Sequence, residues 1–301
     1  MFQRLLVPLD GSRLAESVLP VAAALAQRVS GSIQLLHVIE KAAPRSIHGD
    51  THLQTVEQAE RYLAGIAEQL QGRGLPVESH VHTVPQVDLP QAIAEHGHEL
   101  RQDLIVLCTH GSSGLRRFVF GSNAEQVLSH GITPVLLIQP DETGSAKPFG
   151  PRRILALLDQ NPATRRVLDT GAELATAAGT RLDLLWVVPT LSHVNAEQAA
   201  SSRMVPQTTR HVLDLMAEEA VGFLKEEVQQ LVAGGIVASG RVERGQTAAE
   251  LVRVADEIDA DLVIIAALGV AGMSAFWADA LTRKVAGTYT GALLLIPRSR
   301  R

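Results

Sequence analysis

The sequence predicts an α/β chain of two tandem domains, each an open parallel sheet with helices on both faces. Three observations predict it. Short β-rich apolar runs alternate with helical patterns along all 301 residues, an order that yields parallel strands joined by crossover helices. One layout also occurs twice. Leu104-Ile-Val-Leu-Cys-Thr-His-Gly111, continuing through Phe120-Gly121-Ser122 to Pro134-Val-Leu-Leu-Ile138, has a weaker copy in Asp261-Leu-Val-Ile-Ile-Ala-Ala-Leu-Gly269, Asp279 and Gly291-Ala-Leu-Leu-Leu-Ile296. Finally, the opening strands repeat, Arg4-Leu-Leu-Val-Pro-Leu-Asp10 resembling Arg153-Ile-Leu-Ala-Leu-Leu-Asp159. The offsets of 149 residues between the aspartates and 158 between Gly111 and Gly269 differ by only a few inserted residues.

In the first half, strands are expected near 3–9, 32–39, 76–83, 103–109 and 134–139, each a short run bounded by polar or turn-forming residues. Between the second and third, Val56, Leu63, Ile66 and Leu70 recur at spacings that make one buried helical stripe. The second half repeats the order, with strands near 152–158, 180–188, 236–243, 261–267 and 291–297. The stretch from Pro140 to Pro151 carries turn-forming residues and no apolar period, so it reads as a linker. The expected organisation is therefore a first domain over 1–140, a linker over 141–151 and a second domain over 152–301. The last strands, Val135–Ile138 and Leu293–Ile296, would be bare apolar edges in isolated domains, which favours their pairing in an intrachain pseudo-dimer.

At 46% hydrophobic and 20% charged residues, each half can bury a core. A net charge of -5 lacks the concentrated basic face of a nucleic-acid binder, and no apolar run reaches the length of a membrane span. The chain enters a strand directly after Met1-Phe-Gln-Arg, without the pattern of a signal peptide, and holds one cysteine, Cys108. A cytoplasmic location is expected. Cys108 reads as a small apolar residue at a strand end, with nothing nearby in sequence to lower its pKa.

The chemistry concentrates after the fourth strand. A strand that empties into glycines and then into a Ser-started helix is the local architecture of a phosphate cradle, because backbone N–H groups approach an anion only where side chains are absent. It is neither a Walker A sequence nor Gly-x-Gly-x-x-Gly. In open α/β sheets, ligands sit beyond the carboxyl ends of the strands where the winding reverses, and both Asp10 and the Cys108–Gly111 segment fall at such ends.

These residues resemble the universal stress proteins over nearly all of both halves. The likeness runs from Leu5-Leu-Val-Pro-Leu-Asp-Gly-Ser12 through Leu35-Leu-His-Val38 to Gly121-Ser-Asn-Ala-Glu-Gln-Val-Leu128 and Pro134–Ile138. The ATP-binding branch of that family carries Gly-x-x-Gly, nine residues, then Gly-Ser or Gly-Thr. Here Gly111 is followed by nine residues and then Gly121-Ser122, with Cys108 in place of the first glycine and Val87 where many members have Gly.

The resemblance implies two flavodoxin-like domains and a stress-response or regulatory module binding ATP, ADP or AMP, with or without Mg, in the first. Pro8, Asp10, Val38, Cys108, His110, Gly111, Gly121, Ser122 and Asn123 would form the site. Asp10 would meet the ribose or adenine, Val38 would offer backbone groups to the base, and Gly111, Gly121 and Ser122 would surround the phosphates. Read from the residues alone, Asp10 can instead cap the helix after Ser12, Ser122 can be a helix cap, a phosphate ligand or both, and His110 can be structural. Dimerisation between chains is compatible with the family.

The second half departs further, with Asp279-Ala280 where Gly-Ser would stand. A carboxylate at a helix start takes the place and charge preference of a phosphate, so this repeat reads as a degenerate partner. Asp159 reads as a cap for a helix starting near Pro162.

Nine of the eleven histidines lie in the first half, including His80-x-His82 on one strand face and His96-x-His98 near a helix end. Such pairs can bind zinc or a similar metal. The lack of CxxC and HExxH patterns favours solvated or core-edge histidines, and no metal is expected. No Gly-x-Ser-x-Gly elbow or paired carboxylates occur, so no catalytic residue is assigned and any ATP hydrolysis is expected to be slow.

Overall fold

The computed structural model describes residues 2–39, 46–47, 50–51, 53–83, 88–109, 122–140, 149–159, 164–191, 206–267 and 281–297. They fall into two compact units. One is built on the chain up to Gly150 together with the final strand, the other on Pro151–Ala266 with the helical residues 281–286 and Tyr289.

The first unit runs β1 (Arg4–Pro8), α1 (Arg13–Glu16), α2 (Leu19–Val29), β2 (Ser32–Ile39), β3 (Ser46–Ile47), β4 (Asp50–Thr51), α3 (Val56–Gln71), β5 (Val77–Thr83), α4 (Leu89–Glu99), β6 (Leu104–Cys108), α5 (Ser122–His130) and β7 (Val135–Ile138). Its sheet order is β5-β2-β1-β6-β7, with every pair parallel. Leu5, Leu6, Val7, Leu104, Ile105, Val106 and Val135–Ile138 are all buried, as continuous apolar strands covered on both faces should be. The stripe expected in α3 is present: Leu63, Ile66 and Leu70 are buried, while Val56 at its start is half-buried. That helix begins where Thr55 accepts the Gln58 N–H at 3.2 Å and the Gln58 amide oxygen accepts the Gln54 N–H at 3.0 Å. The antiparallel pair β3–β4 was not expected, because two residues per strand are too few to show a period.

The chain's last strand, β12 (Ala292–Pro297), lies antiparallel to β7, with Leu293 opposite Leu137, Leu294 opposite Leu136 and Leu295 opposite Val135. The two apolar edges singled out in the sequence therefore cover each other.

The second unit runs β8 (Arg153–Leu158), α6 (Thr164–Ala178), β9 (Arg181–Val188), α7 (Pro206–Ala233), β10 (Ala238–Arg244), α8 (Thr247–Glu257) and β11 (Leu262–Ala267). Its parallel order is β10-β9-β8-β11. The 28 residues of α7 span about 42 Å at 1.5 Å per residue. Among the described residues no helix is long and apolar enough to cross a membrane.

Both units start their central strands with the same device. Asp103 accepts the Gln3 and Arg4 N–H groups on one carboxylate oxygen, each at 3.1 Å, and its own N–H donates to the Arg4 carbonyl at 2.8 Å. Asp261 does likewise, accepting from Arg152 at 2.8 Å and Arg153 at 3.1 Å and donating to the Arg153 carbonyl at 3.0 Å. In each case the preceding helix ends in a left-handed residue, Arg101 or Asp259, followed by a backbone bond of 2.8 Å back to Gly97 or Ala255.

Two glycines give opposite expectations. A Cβ on Gly31 would lie 2.6 Å from the Gln3 carbonyl oxygen, which already accepts the Ser32 N–H at 2.7 Å. Gly31→Ala should destabilise the first unit by about 1–3 kcal/mol through overpacking. Gly65, inside α3 with nothing within 4 Å of its would-be Cβ, should accept Ala with a gain of up to about 1 kcal/mol. Denaturant melts of the two variants, followed by helix signal, should shift in opposite directions.

Candidate functional site

In the first unit the winding reverses at β1. From there the chain builds outward through β2 and β5 on one side, then returns to add β6 and β7 on the other. All five strands are parallel, so the carboxyl ends of β6, β1 and β2 emerge side by side around that reversal, the usual ligand position in such sheets. Cys108 ends β6, Pro8 ends β1 with Asp10 two residues on, and Val38 lies near the end of β2. Ser122 and Asn123 are placed by backbone in the first turn of α5, the helix that follows β6 in sequence. His110, Gly111 and Gly121 lie outside the described residues, as does Val87.

Asp10 is shaped by the turn that follows it. One carboxylate oxygen accepts the Ser12 N–H at 2.9 Å and the Ser12 hydroxyl at 2.6 Å, while the Ser12 oxygen accepts the Ala15 N–H at 3.1 Å and caps α1. Asp10 thus fixes the cap, and Ser12 is the cap itself. The second Asp10 oxygen takes no hydrogen bond among the described residues. Gly11 between them has a φ of +90°, and Leu53 packs 3.0 Å from where its Cβ would be, so both conformation and space require glycine.

Val38 stands two residues beyond the last β1–β2 register pair, Pro8 with Leu36. The Leu36 carbonyl accepts the Leu9 N–H at 2.8 Å, and strand alternation turns the Val38 peptide groups to the same side, past the end of that ladder.

Among the described residues, those around Asp10 are acidic. Asp50 accepts the Arg13 N–H at 3.0 Å, and Glu16 accepts the Tyr62 hydroxyl at 2.9 Å. Burial, then the Glu16 carboxylate, then the charges of Asp10 and Asp50 push the Tyr62 phenol well above its ordinary range. Burial and the Asp10 charge push the Cys108 thiol up to about 12.

In the second unit Asp159 follows β8 as Asp10 follows β1, but the Thr164 hydroxyl donates to it at 2.7 Å from the start of α6. Pro162, Gly269, Asp279 and Ala280 lie outside the described residues. A shallow cleft of about 490 Å³ in the first unit, walled by Arg4, His98, Arg101 and Asp103 among others, opens at the amino ends of the strands, opposite the candidate site.

The histidine pairs read from sequence sort differently in space. His80 and His82 of β5 meet His96 of α4, with ligand nitrogens all within 4.8 Å of one another, and His98 is not in the group. The sequence signal that finds this is the i, i+2 pair on a strand followed by a helix packing against the sheet. Nothing in linear spacing selects His96 over His98.

Comparison with known proteins follows the repeat. The model of the universal stress protein family matches residues 1–139 and again 150–297. A putative universal stress protein of Staphylococcus aureus (strain USA300) is 27% identical over 146 residues, 47% of this chain and 86% of the relative. The crystal structure of a universal stress protein from Archaeoglobus fulgidus covers 98% of this chain and 96% of its own at 18% identity and a TM-score of 0.70, which shows a shared fold. A universal stress protein from Archaeoglobus fulgidus in complex with dAMP covers 46% of this chain and 98% of its own at 22% identity and a TM-score of 0.33.

Cys108 gives this site a chemical signature. With its thiol held near 12, the thiolate fraction at pH 8 is about 1 in 10,000, against roughly a quarter for an ordinary cysteine of pKa 8.5. Alkylation at pH 8 should therefore be slowed by about three orders of magnitude in the folded chain and restored in denaturant. Equal rates in both states would show the thiol to be unperturbed.

Proposed function

We propose that this chain, which belongs to the universal stress protein family, is a nucleotide-responsive stress or regulatory module that holds one adenine nucleotide, ATP or its hydrolysis products, in its first repeat. The observation that carries this reading is Asp10. It stands at the winding reversal with one oxygen consumed by the Ser12 turn and the other without a hydrogen bond among the described residues. A carboxylate so held accepts a pair of ribose hydroxyls without losing its anchor.

The remaining roles follow from position and chemistry. Val38 presents peptide N–H and C=O to the edge of the base, and Pro8 leads β1 into the Asp10 turn. Gly111 and Gly121 leave backbone donors open to the phosphates, and Ser122, Asn123 and the start of α5 add neutral donors. His110 supplies a further donor, while the small Cys108, its thiol protonated, adds no charge beside the phosphate path. Mg can accompany the phosphates as a counter-charge.

The second repeat serves as a partner without a ligand. In sequence Asp279 stands where the first repeat has Gly121, so a carboxylate replaces a glycine at the position proposed to serve phosphate. Two unit charges about 4 Å apart at an effective dielectric near 20 repel by about 4 kcal/mol, about half the free energy of a micromolar site. The Thr164 hydroxyl bound to Asp159 further commits that carboxylate to its own helix.

Calorimetry with ATP, ADP and AMP tests the assignment, alongside identification of any nucleotide released when the purified chain is denatured. One site per chain is expected. Gly121→Asp should abolish it while the fold survives, and Asp10→Asn should weaken it about 10–100-fold, the usual worth of a hydrogen bond to a charged group. Two equivalent sites, or one that persists in Gly121→Asp, would assign the ligand to the wrong repeat.

A further inference from the structure

We propose that His80, His82 and His96 form a binding site for one divalent first-row transition cation, with zinc as the reference ion, on the outer edge of the first unit. The site is built from two elements. His80 and His82 are two residues apart on β5, so strand alternation puts both rings on one face, and β5 is the last strand of the sheet on its side. His96 comes from the last turn of α4 and is buried, with 6% of its surface exposed.

Three features separate this group from a chance meeting of polar rings. The first is convergence. The ligand nitrogens of all three lie within 4.8 Å of one another, and the ring centroids are 4.2 Å apart for His82–His96 and 5.3 Å for His80–His96. Tetrahedral zinc with Zn–N bonds near 2.0–2.1 Å places its ligand nitrogens about 3.4 Å apart. Closing the remaining ~1.4 Å takes only modest rotation of rings of which one is exposed and one half-buried.

The second feature is a fixed tautomer. His96 Nδ1 lies 3.0 Å from the Ala92 carbonyl, an acceptor only, so Nδ1 carries the proton and donates. The Nε2 lone pair is left for a metal, and the carbonyl orients the ring as outer-shell partners do in protein metal sites.

The third is charge. Glu95 and Glu99 on α4 act on His82 with negative charge, which is unhelpful to no cation and attractive to a dication. Three neutral imidazoles suit zinc, nickel, cobalt or copper and disfavour calcium and magnesium. With His80 exposed, the fourth position is open to water.

The test uses the full chain without an affinity tag, stripped by chelator. Zinc calorimetry should find one site per chain, and cobalt should give the intense visible bands of a four-coordinate ion that zinc displaces. His80→Ala and His82→Ala should each weaken binding by about 100-fold or more, at least the upper range for losing a mere outer-shell partner. His98→Ala should leave it unchanged. His96→Gln should also abolish it, and because that side chain is buried, the two strand variants decide the matter if this one misfolds. Zinc should raise the melting temperature of the wild type and not of His80→Ala. Absence of saturable binding, or binding unaltered in both strand variants, would overturn the site.

Discussion

The carboxylate at the amino end of β6 sets the register on which the opposite end of the first unit depends. Asp103 holds two N–H groups of the β1 entry and returns its own N–H to Arg4, so β1 and β6 begin in step. In a strand the side-chain period is two, and a slip of one residue would send Leu5, Val7, Ile105 and their neighbours to the wrong faces. It would also separate Asp10 from the end of β6. The charged contact from Arg4 to Asp103 is exposed and adds little by itself. The geometric restraint on the backbone is what matters, and Asp261 repeats it with Arg152 and Arg153.

Much of this fold is legible in the sequence because its strands are apolar runs with short boundaries. Leu104–Cys108 and Leu262–Ala267 can hardly be read otherwise, and the repeat of Arg4–Asp10 in Arg153–Asp159 announces two units. Pairing of the last strands follows from the hazard of leaving Leu136 and Leu294 on open edges. What escapes is chemistry that depends on distant partners. Asp103 and Asp261 look like ordinary polar residues between a helix and a strand. Asp10 reads as cap or ligand, and only the turn geometry divides the task between Asp10 and Ser12. The meeting of His80 and His82 with His96 depends on how α4 lies against the sheet, which linear spacing does not encode.

The two units spend polar groups differently. Around Asp10 the first unit gathers Glu16, Asp50 and the Tyr62 hydroxyl. The second unit arranges its charges on the outside of β10 and α8, where Arg241 and Arg253 share Glu243 and Glu257. These pairs are solvent-exposed and individually worth at most about 1 kcal/mol. They tie α8 to β10, whereas the acids of the first unit gather negative charge around Asp10, a setting that attracts hydrogen-bond donors and repels anions.

The pairing of β12 with β7 carries a consequence for how the chain is made. The first unit is finished by a strand whose partner residues lie 156 positions earlier in the chain, Leu293 against Leu137. At roughly 5–20 residues per second of synthesis, β7 leaves the ribosome on the order of ten to thirty seconds before β12 exists. During that interval an apolar edge waits unpaired in a nascent chain, open to association with another copy or to capture by a chaperone. Nascent chains that stop short of β12 would carry that exposed edge for their whole lifetime.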